Sequence, residues 1–319
     1  MTIVSRIRRR LRRLVAIMLD GERSMPTATL RRESLFGAPG VGSGERGVVL
    51  ADTDNGPMLV YRTDTVIGRL LRERGSFEEA LIDDVVRFLR RRHGFRPELF
   101  IDIGANIGTH LLRSLRAGTF ARGVGVEMDQ DNFHLLTCNI ALNGCQSRTR
   151  LFNCAVSDVA GPAVMELSGD NLGDHRMRPA TAGIADACGE AGRKTRDIVA
   201  TTLDSLELEC GAAFDDTALL WIDTQGHEGH VLGGGERIFS RGRRPYVVIE
   251  FWPYGIERSG GRERLFRFLR HCRAIHDLRS PGWERRPSLD VASVEGVYAR
   301  VLEKPGDELL FHTDLLCIL

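Results

Sequence analysis

Lysine is almost absent from this chain. Lys194 and Lys304 are its only two, so 42 of the 44 basic residues are arginine, a bias of coding more than a sign of function. Net charge is nearly absent as well, +1 in formal terms, which argues against a protein whose main task is to grip a phosphate backbone. Long apolar runs are missing. The longest early one, Leu14 to Leu19, is too short for a membrane span and short for a signal-peptide core, so a cytoplasmic location is the expectation. No C-x-x-C pair occurs among the seven cysteines, no zinc-type ligand spacing appears, and an odd number cannot all pair within the chain. Free thiols in a reducing compartment, packed as small hydrophobes, are expected.

What is present is an ordinary globular composition: 319 residues, 42% hydrophobic and 27% charged. That suits one enlarged α/β domain or a domain with appendages. The basic character is concentrated at the N-terminus, where residues 1–50 hold ten arginines against four acids. Residues 6–19 read as an amphipathic helix with Ile7, Leu11, Leu14, Val15 and Met18 on one stripe. This appendage is either a dock for an anionic membrane surface or a solvated extension. Residues 1–60 are assigned to this extension and a linker, with 21–57 mostly linker and surface strand. Residues 61–319 form the main domain.

The capping-box pattern Ser76-Phe-Glu-Glu79 predicts a helix beginning near Ser76. From residue 98, apolar runs alternate with helical stripes. Strands are expected at 99–103, 123–127, 149–155, 218–223 and 246–251, and helices at 228–240 and 261–272. Such alternation predicts a doubly wound, mostly parallel sheet covered on both faces. Residues 298–302 and 309–319 read as a closing antiparallel hairpin.

The strongest motif is Asp102-Ile-Gly104-Ala-Asn106-Ile-Gly108 at a strand-to-helix junction, followed by Glu127 at the end of the next strand. Small residues let the backbone approach a ligand, and a carboxylate nineteen residues after Gly108 can accept both hydroxyls of a ribose. The dinucleotide pattern G-x-G-x-x-G is not met. Asp102, two residues before the first glycine, repels phosphate and suits a ligand carrying ammonium and sulfonium charges, which is S-adenosylmethionine.

Three stretches resemble the FkbM family of class I S-adenosylmethionine-dependent methyltransferases: Phe100 to Gly108; Thr201 to Leu206 with Leu220 to Glu228 and Val231 to Gly234; and Pro245 to Glu250. The family commonly has Glu where Gln225 stands. The resemblance implies a Rossmann-like, seven-stranded α/β fold and methyl transfer to a hydroxyl of a sugar, lipid-linked glycan or polyketide. It places Asp102, Gly104, Asn106 and Gly108 on the cofactor turn, Glu127 on the ribose, and Ser157 and Asp158 near the adenine. The cofactor half spans about 98–160 and an acceptor-side insertion about 161–200.

A second constellation, Asp223-Thr-Gln225-Gly-His227-Glu228, ends the strand expected beside the first one, at the switch point where ligands bind. Asp223 is assigned to orienting cofactor or substrate, Glu228 to substrate, and His227 to proton removal. Asp223, Glu228 and Glu250 could instead gather a divalent cation, the less favoured reading. Substrate contacts are expected from Gln225, from Glu250, Trp252 and Tyr254 after the fifth strand, and from Asn171, Asp174, His175 and Arg176 in a polar stretch at 161–196. Glu250-Phe-Trp-Pro-Tyr254 sits after the wrong strand for a base-flipping site, so no nucleic-acid partner is expected. The expected activity is O-methylation of a sugar, glycan or secondary metabolite. An NAD-dependent oxidoreductase and a non-catalytic module of cofactor fold are the alternatives.

Overall fold

The computed structural model describes residues 47–179, 188–303 and 307–319. The basic stripe at 6–19 lies outside them. The chain order is β1 (Val48–Thr53), β2 (Gly56–Tyr61), α1 (Ile67–Arg74), α2 (Glu79–His93), β3 (Leu99–Ile103), α3 (Thr109–Arg116), β4 (Arg122–Val126), α4 (Gln130–Leu142), β5 (Thr149–Phe152), β6 (Ala155–Ser157), β7 (Gly161–Glu166), β8 (Arg176–Met177), β9 (Thr195–Thr202), α5 (Leu203–Cys210), β10 (Ala218–Ile222), α6 (Glu228–Gly233), α7 (Glu236–Phe239), β11 (Tyr246–Phe251), α8 (Pro253–Ser259), α9 (Arg262–Leu269), β12 (Ala274–Asp277), α10 (Val291–Glu303) and β13 (Thr313–Ile318).

Seven strands form the main sheet in the order β12-β13-β11-β10-β3-β4-β5. β3, β4, β5, β10 and β11 run parallel, and β13 inserts antiparallel between β11 and β12. This is the doubly wound α/β arrangement expected from the alternating pattern. The apolar runs of β3 and β10 are buried along their whole length because helices cover both faces. Alternate residues divide between two cores: Leu99, Ile101 and Ile103 face one, Phe100 and Trp221 the other. The chain winds outward from β3 to β5, then returns to place β10 against β3. The seam between their carboxyl ends is the switch point.

A second, four-stranded sheet, β6-β9-β7-β8, is inserted between β5 and β10. It includes much of the stretch expected to be irregular at 161–196. Segment 149–155 is two strands in different sheets, and segment 228–240 is two short helices. The capping box does not start a helix at Ser76. α2 begins at Glu79, after Glu78 in left-handed conformation and without a side-chain cap. The closing hairpin is replaced: residues 298–302 belong to α10, and β13 pairs with β11 and β12. Buried Val294, Tyr298 and Val301 give α10 a helical stripe that a five-residue window hides. All seven cysteines are free thiols. Among the described residues, no helix is long and apolar enough to cross a membrane.

Residues 48–61 form an antiparallel hairpin docked on α4. Buried Asn139 acts as a surrogate strand for it. Its Oδ1 accepts the Leu59 N–H at 2.6 Å, and its Nδ2 donates to the carbonyls of Leu59 at 3.0 Å and Ile107 at 2.9 Å. One side chain thus ties the hairpin to the turn after β3. Asn139→Ala should cost roughly 2–4 kcal/mol by leaving these backbone groups unpaired. Urea unfolding measures this, and a loss below about 0.5 kcal/mol would show that the hairpin docks without it.

Candidate active site

The site begins where β3 and β10 end side by side. The Asp223 N–H donates to the Ile103 carbonyl at 3.0 Å. Gly104, at φ 90°, is the next residue after Ile103; a Cβ there would stand 1.8 Å from the Asp223 carbonyl oxygen. Only glycine permits this crossing. The chain then turns through Asn106, φ 48°, on one side and Gln225, φ 54°, on the other. Glu78, φ 57°, is the third non-glycine residue at positive φ among those described. All three line the same cavity, and backbone strain of this kind gathers at functional sites.

Two open cavities of unequal size meet at this seam. They share Gly104, Asn106, Gly173, Asp223 and Gln225. The smaller one lies over the glycine turn and the end of β4. Its walls include Val126, Met128, Val156, Leu172 and Met177, with Glu127, Cys154, His175, Asp223 and His227 as titratable groups and, among the described residues, no lysine or arginine. The loop before β8 roofs it: the Leu172 carbonyl accepts from Asn132 Nδ2 at 2.8 Å. The larger cavity takes in Asn171, Asp174, Arg176, Glu250 and Trp252. It also takes in residues that the motifs did not single out: Glu78, His110, Arg279, His312 and Asp314. His110 lies in α3 just behind the glycine turn, Glu78 in the segment before β3, and Arg279, His312 and Asp314 in segments after β11.

Three buried carboxyl groups shape the turns. Glu127 accepts the N–H groups of Asn106 at 2.9 Å and Asp129 at 2.7 Å, and burial pushes its pKa up to about 8. Glu228, fully buried, accepts from Thr224 N at 2.9 Å, Thr224 Oγ1 at 3.0 Å and Gly226 N at 3.2 Å, all through Oε1. Its Oε2 has no partner among the described residues, and burial pushes its pKa up to about 7. Asp102 lies under the glycine turn; burial, then the charges of Asp223 and Glu127, hold it well above the usual carboxylate range. Asp102 and Glu228 line neither cavity, nor do Gly108, which starts α3, or fully buried Tyr254, whose hydroxyl donates to Glu190 at 3.1 Å.

Asp223 and Glu250 are different. They stand at the ends of neighbouring strands and face the larger cavity. Gln225 Nε2 donates to both, at 2.8 Å to Asp223 and 3.2 Å to Glu250. Burial raises the pKa of each, and for Glu250 the Asp223 charge adds to it. Of the three acids weighed for a cation, Glu228 is turned into its own loop. Among the described residues no three His, Cys, Asp or Glu side chains are grouped as metal ligands.

His227 lines only the smaller cavity. Its Nε2 shares a hydrogen bond with Ser157 Oγ at 2.9 Å, its ring stacks on His230 at 4.3 Å, and burial lowers its pKa to about 3. So weak a base suits proton removal poorly. Ser157 ends β6 in the second sheet and sits behind His227. Asp158 faces a separate cavity, paired with His230 at 3.1 Å and Arg264 at 2.6 Å. His175 accepts the Ser168 N–H at 3.0 Å in the smaller cavity's wall. The Trp252 ring, expected to contact substrate, is covered by the Arg176 guanidinium at 4.4 Å.

Residues 102–275, more than half of the chain, match the family described as "Methyltransferase FkbM domain". Among solved structures, one match is a methyltransferase FkbM from Methylobacillus flagellatus KT. Identity is 18% and the TM-score 0.33, over 54% of this chain and only 36% of that one. Another is a geranyl diphosphate C-methyltransferase from Streptomyces coelicolor A3(2), 12% identical with a TM-score of 0.36, covering 77% of this chain and 81% of that one. No curated protein matches.

The raised carboxyls make stability depend on pH. Folded Glu228 keeps a proton that the unfolded chain releases near its ordinary value of 4.5. The stability this confers is complete below that value and is lost as pH rises through about 7; Glu127 extends the loss through about 8. Thermal melts of the ligand-free protein should therefore fall in Tm across this window. Glu228→Gln can keep all three bonds to its oxygen while removing the charge, so it should flatten the decline. An unchanged slope would clear Glu228.

Proposed function

We propose that this chain, which belongs to the FkbM methyltransferase family, transfers a methyl group from S-adenosylmethionine to a hydroxyl of a carbohydrate or secondary metabolite. The observation that carries this is the meeting of two cavities at Asp223 and Gln225. One is suited to the methyl donor and the other to an acceptor.

The smaller cavity fits S-adenosylmethionine by its chemistry. Glu127 stands at the end of β4, where a ribose-binding carboxylate belongs in a βαβ unit. Among the described residues no lysine or arginine lines the cavity, so none stands against a sulfonium. Val126, Met128 and Val156 offer an apolar bed for a base ring. The glycine turn lacks the G-x-G-x-x-G spacing by which helix N–H groups hold a pyrophosphate, which disfavours the dinucleotide alternative.

When bound, the cofactor supplies an electrophilic methyl on positively charged sulfur. The remaining task falls to the chain: to hold an acceptor oxygen in line behind that methyl and take its proton. The new O–CH₃ bond forms as the S–CH₃ bond breaks, and the hydroxyl proton passes to a carboxylate. Asp223 is our choice for that proton, because it alone of the raised acids lines both cavities. A carboxylate above its ordinary range is a better base near neutral pH than a free one. Gln225 holds Asp223 and Glu250 in register through one amide. Fixing the pair in this way contributes positioning, which in methyl transfer is a large part of the acceleration.

Transfer of labelled methyl from S-adenosylmethionine into an acceptor pool tests the activity. Asp223→Asn should lower kcat by about 10²–10⁴-fold while calorimetry finds cofactor affinity within a few-fold of wild type. Glu127→Ala should weaken cofactor binding at least about tenfold. In wild type, kcat/KM should climb with pH through a value above the ordinary aspartate range, since the base must be ionised. Unchanged turnover in Asp223→Asn would remove the proton-accepting role.

A further inference from the structure

The two arginines of the larger cavity are paired before any ligand arrives. Arg176 donates to Asp174 at 2.6 and 2.9 Å and to Glu190 at 2.5 Å. Arg279 donates to Asp314 at 2.7 Å and to Glu78 at 2.6 Å. No other arginine or lysine lines this cavity among the described residues. Asp223 and Glu250 remain, sharing the Gln225 amide.

An acceptor phosphate or carboxylate entering here would find no unpaired arginine or lysine among the described residues and would face two carboxyl groups. An unpaired charge so placed is strongly disfavoured. The opposite wall, with Val66, Ile67, Phe77 and Leu310, offers an apolar surface for a sugar face or an alkyl portion.

We propose that the acceptor unit methylated in this cavity carries no anionic group. Sugar phosphates and nucleotide-activated sugars are therefore not its substrates. Where the hydroxyl belongs to a sugar, methylation follows the glycosyl transfer in which the glycosidic bond forms and the activating diphosphate departs. This rests on the methyltransferase reading above and narrows it.

The test uses the full chain, S-adenosylmethionine labelled in its methyl group, and a metabolite and oligosaccharide extract of the cells that make this protein. Products are run on an anion-exchange column before and after treatment with phosphatase and phosphodiesterase. The expected label passes through the untreated column. Label retained until the phosphate esters are cleaved, or retained throughout, would overturn the proposal. No label in any fraction would instead remove the methyl-transfer reading, and this inference with it. Glu250→Gln removes one of the two carboxyls that share Gln225, so the share of label in the retained fraction should rise at least about fivefold even if total turnover falls. An unchanged share would show that these charges do not select the acceptor.

Discussion

Everything at the active seam depends on two backbones touching where the sheet changes direction. Asp223 pairs with Ile103 through its own N–H, and its carbonyl lies where a side chain on Gly104 would begin. The contact brings the ends of β3 and β10 so close that the turns after them must bend away from each other. Each does so through a residue at positive φ, Asn106 and Gln225. The two turns become the shared wall of two cavities, and Asp223 ends up facing both. The two cavities are adjacent because the backbone crossing leaves no room for anything between them.

Buried carboxyl groups do two kinds of work around that crossing. Glu127 and Glu228 accept backbone N–H groups and hold loops in place, much as an N-cap holds a helix end. Asp223 and Glu250 accept only a side-chain amide and face open space. Burial raises all four, so raised pKa alone does not separate structural acids from reactive ones. Hydrogen-bond partners and position do. By the same measure His227, the residue type best suited to proton removal, is set aside by its pairing with Ser157 and its burial.

The five parallel strands of the central sheet were legible as short apolar runs, and Phe100 to Gly108 announces the junction that matters most. Local patterns misled where tertiary packing outweighed them. Ser76 to Glu79 has the letters of a capping box, yet Glu78 is held instead by Arg279, 201 residues away. Tyr298 to Leu302 reads as a short apolar run, yet it belongs to a thirteen-residue helix whose stripe needs a longer window. β12, with four residues, is too short to stand out at all.

The sequence by itself determined the doubly wound class, the glycine turn and its acidic partner. These depend on neighbours in the chain, on residue size and on periodicity. Only the tertiary structure decided which acids face a cavity and which lie beneath a turn. It also brought Glu78, Arg279 and Asp314 together around the larger cavity. Those residues are far apart along the chain, and their ion pairs exist because the segment before β3 and the strand β13 converge on the same end of the sheet. No spacing rule encodes that convergence; it follows from sheet order and the closure of the core.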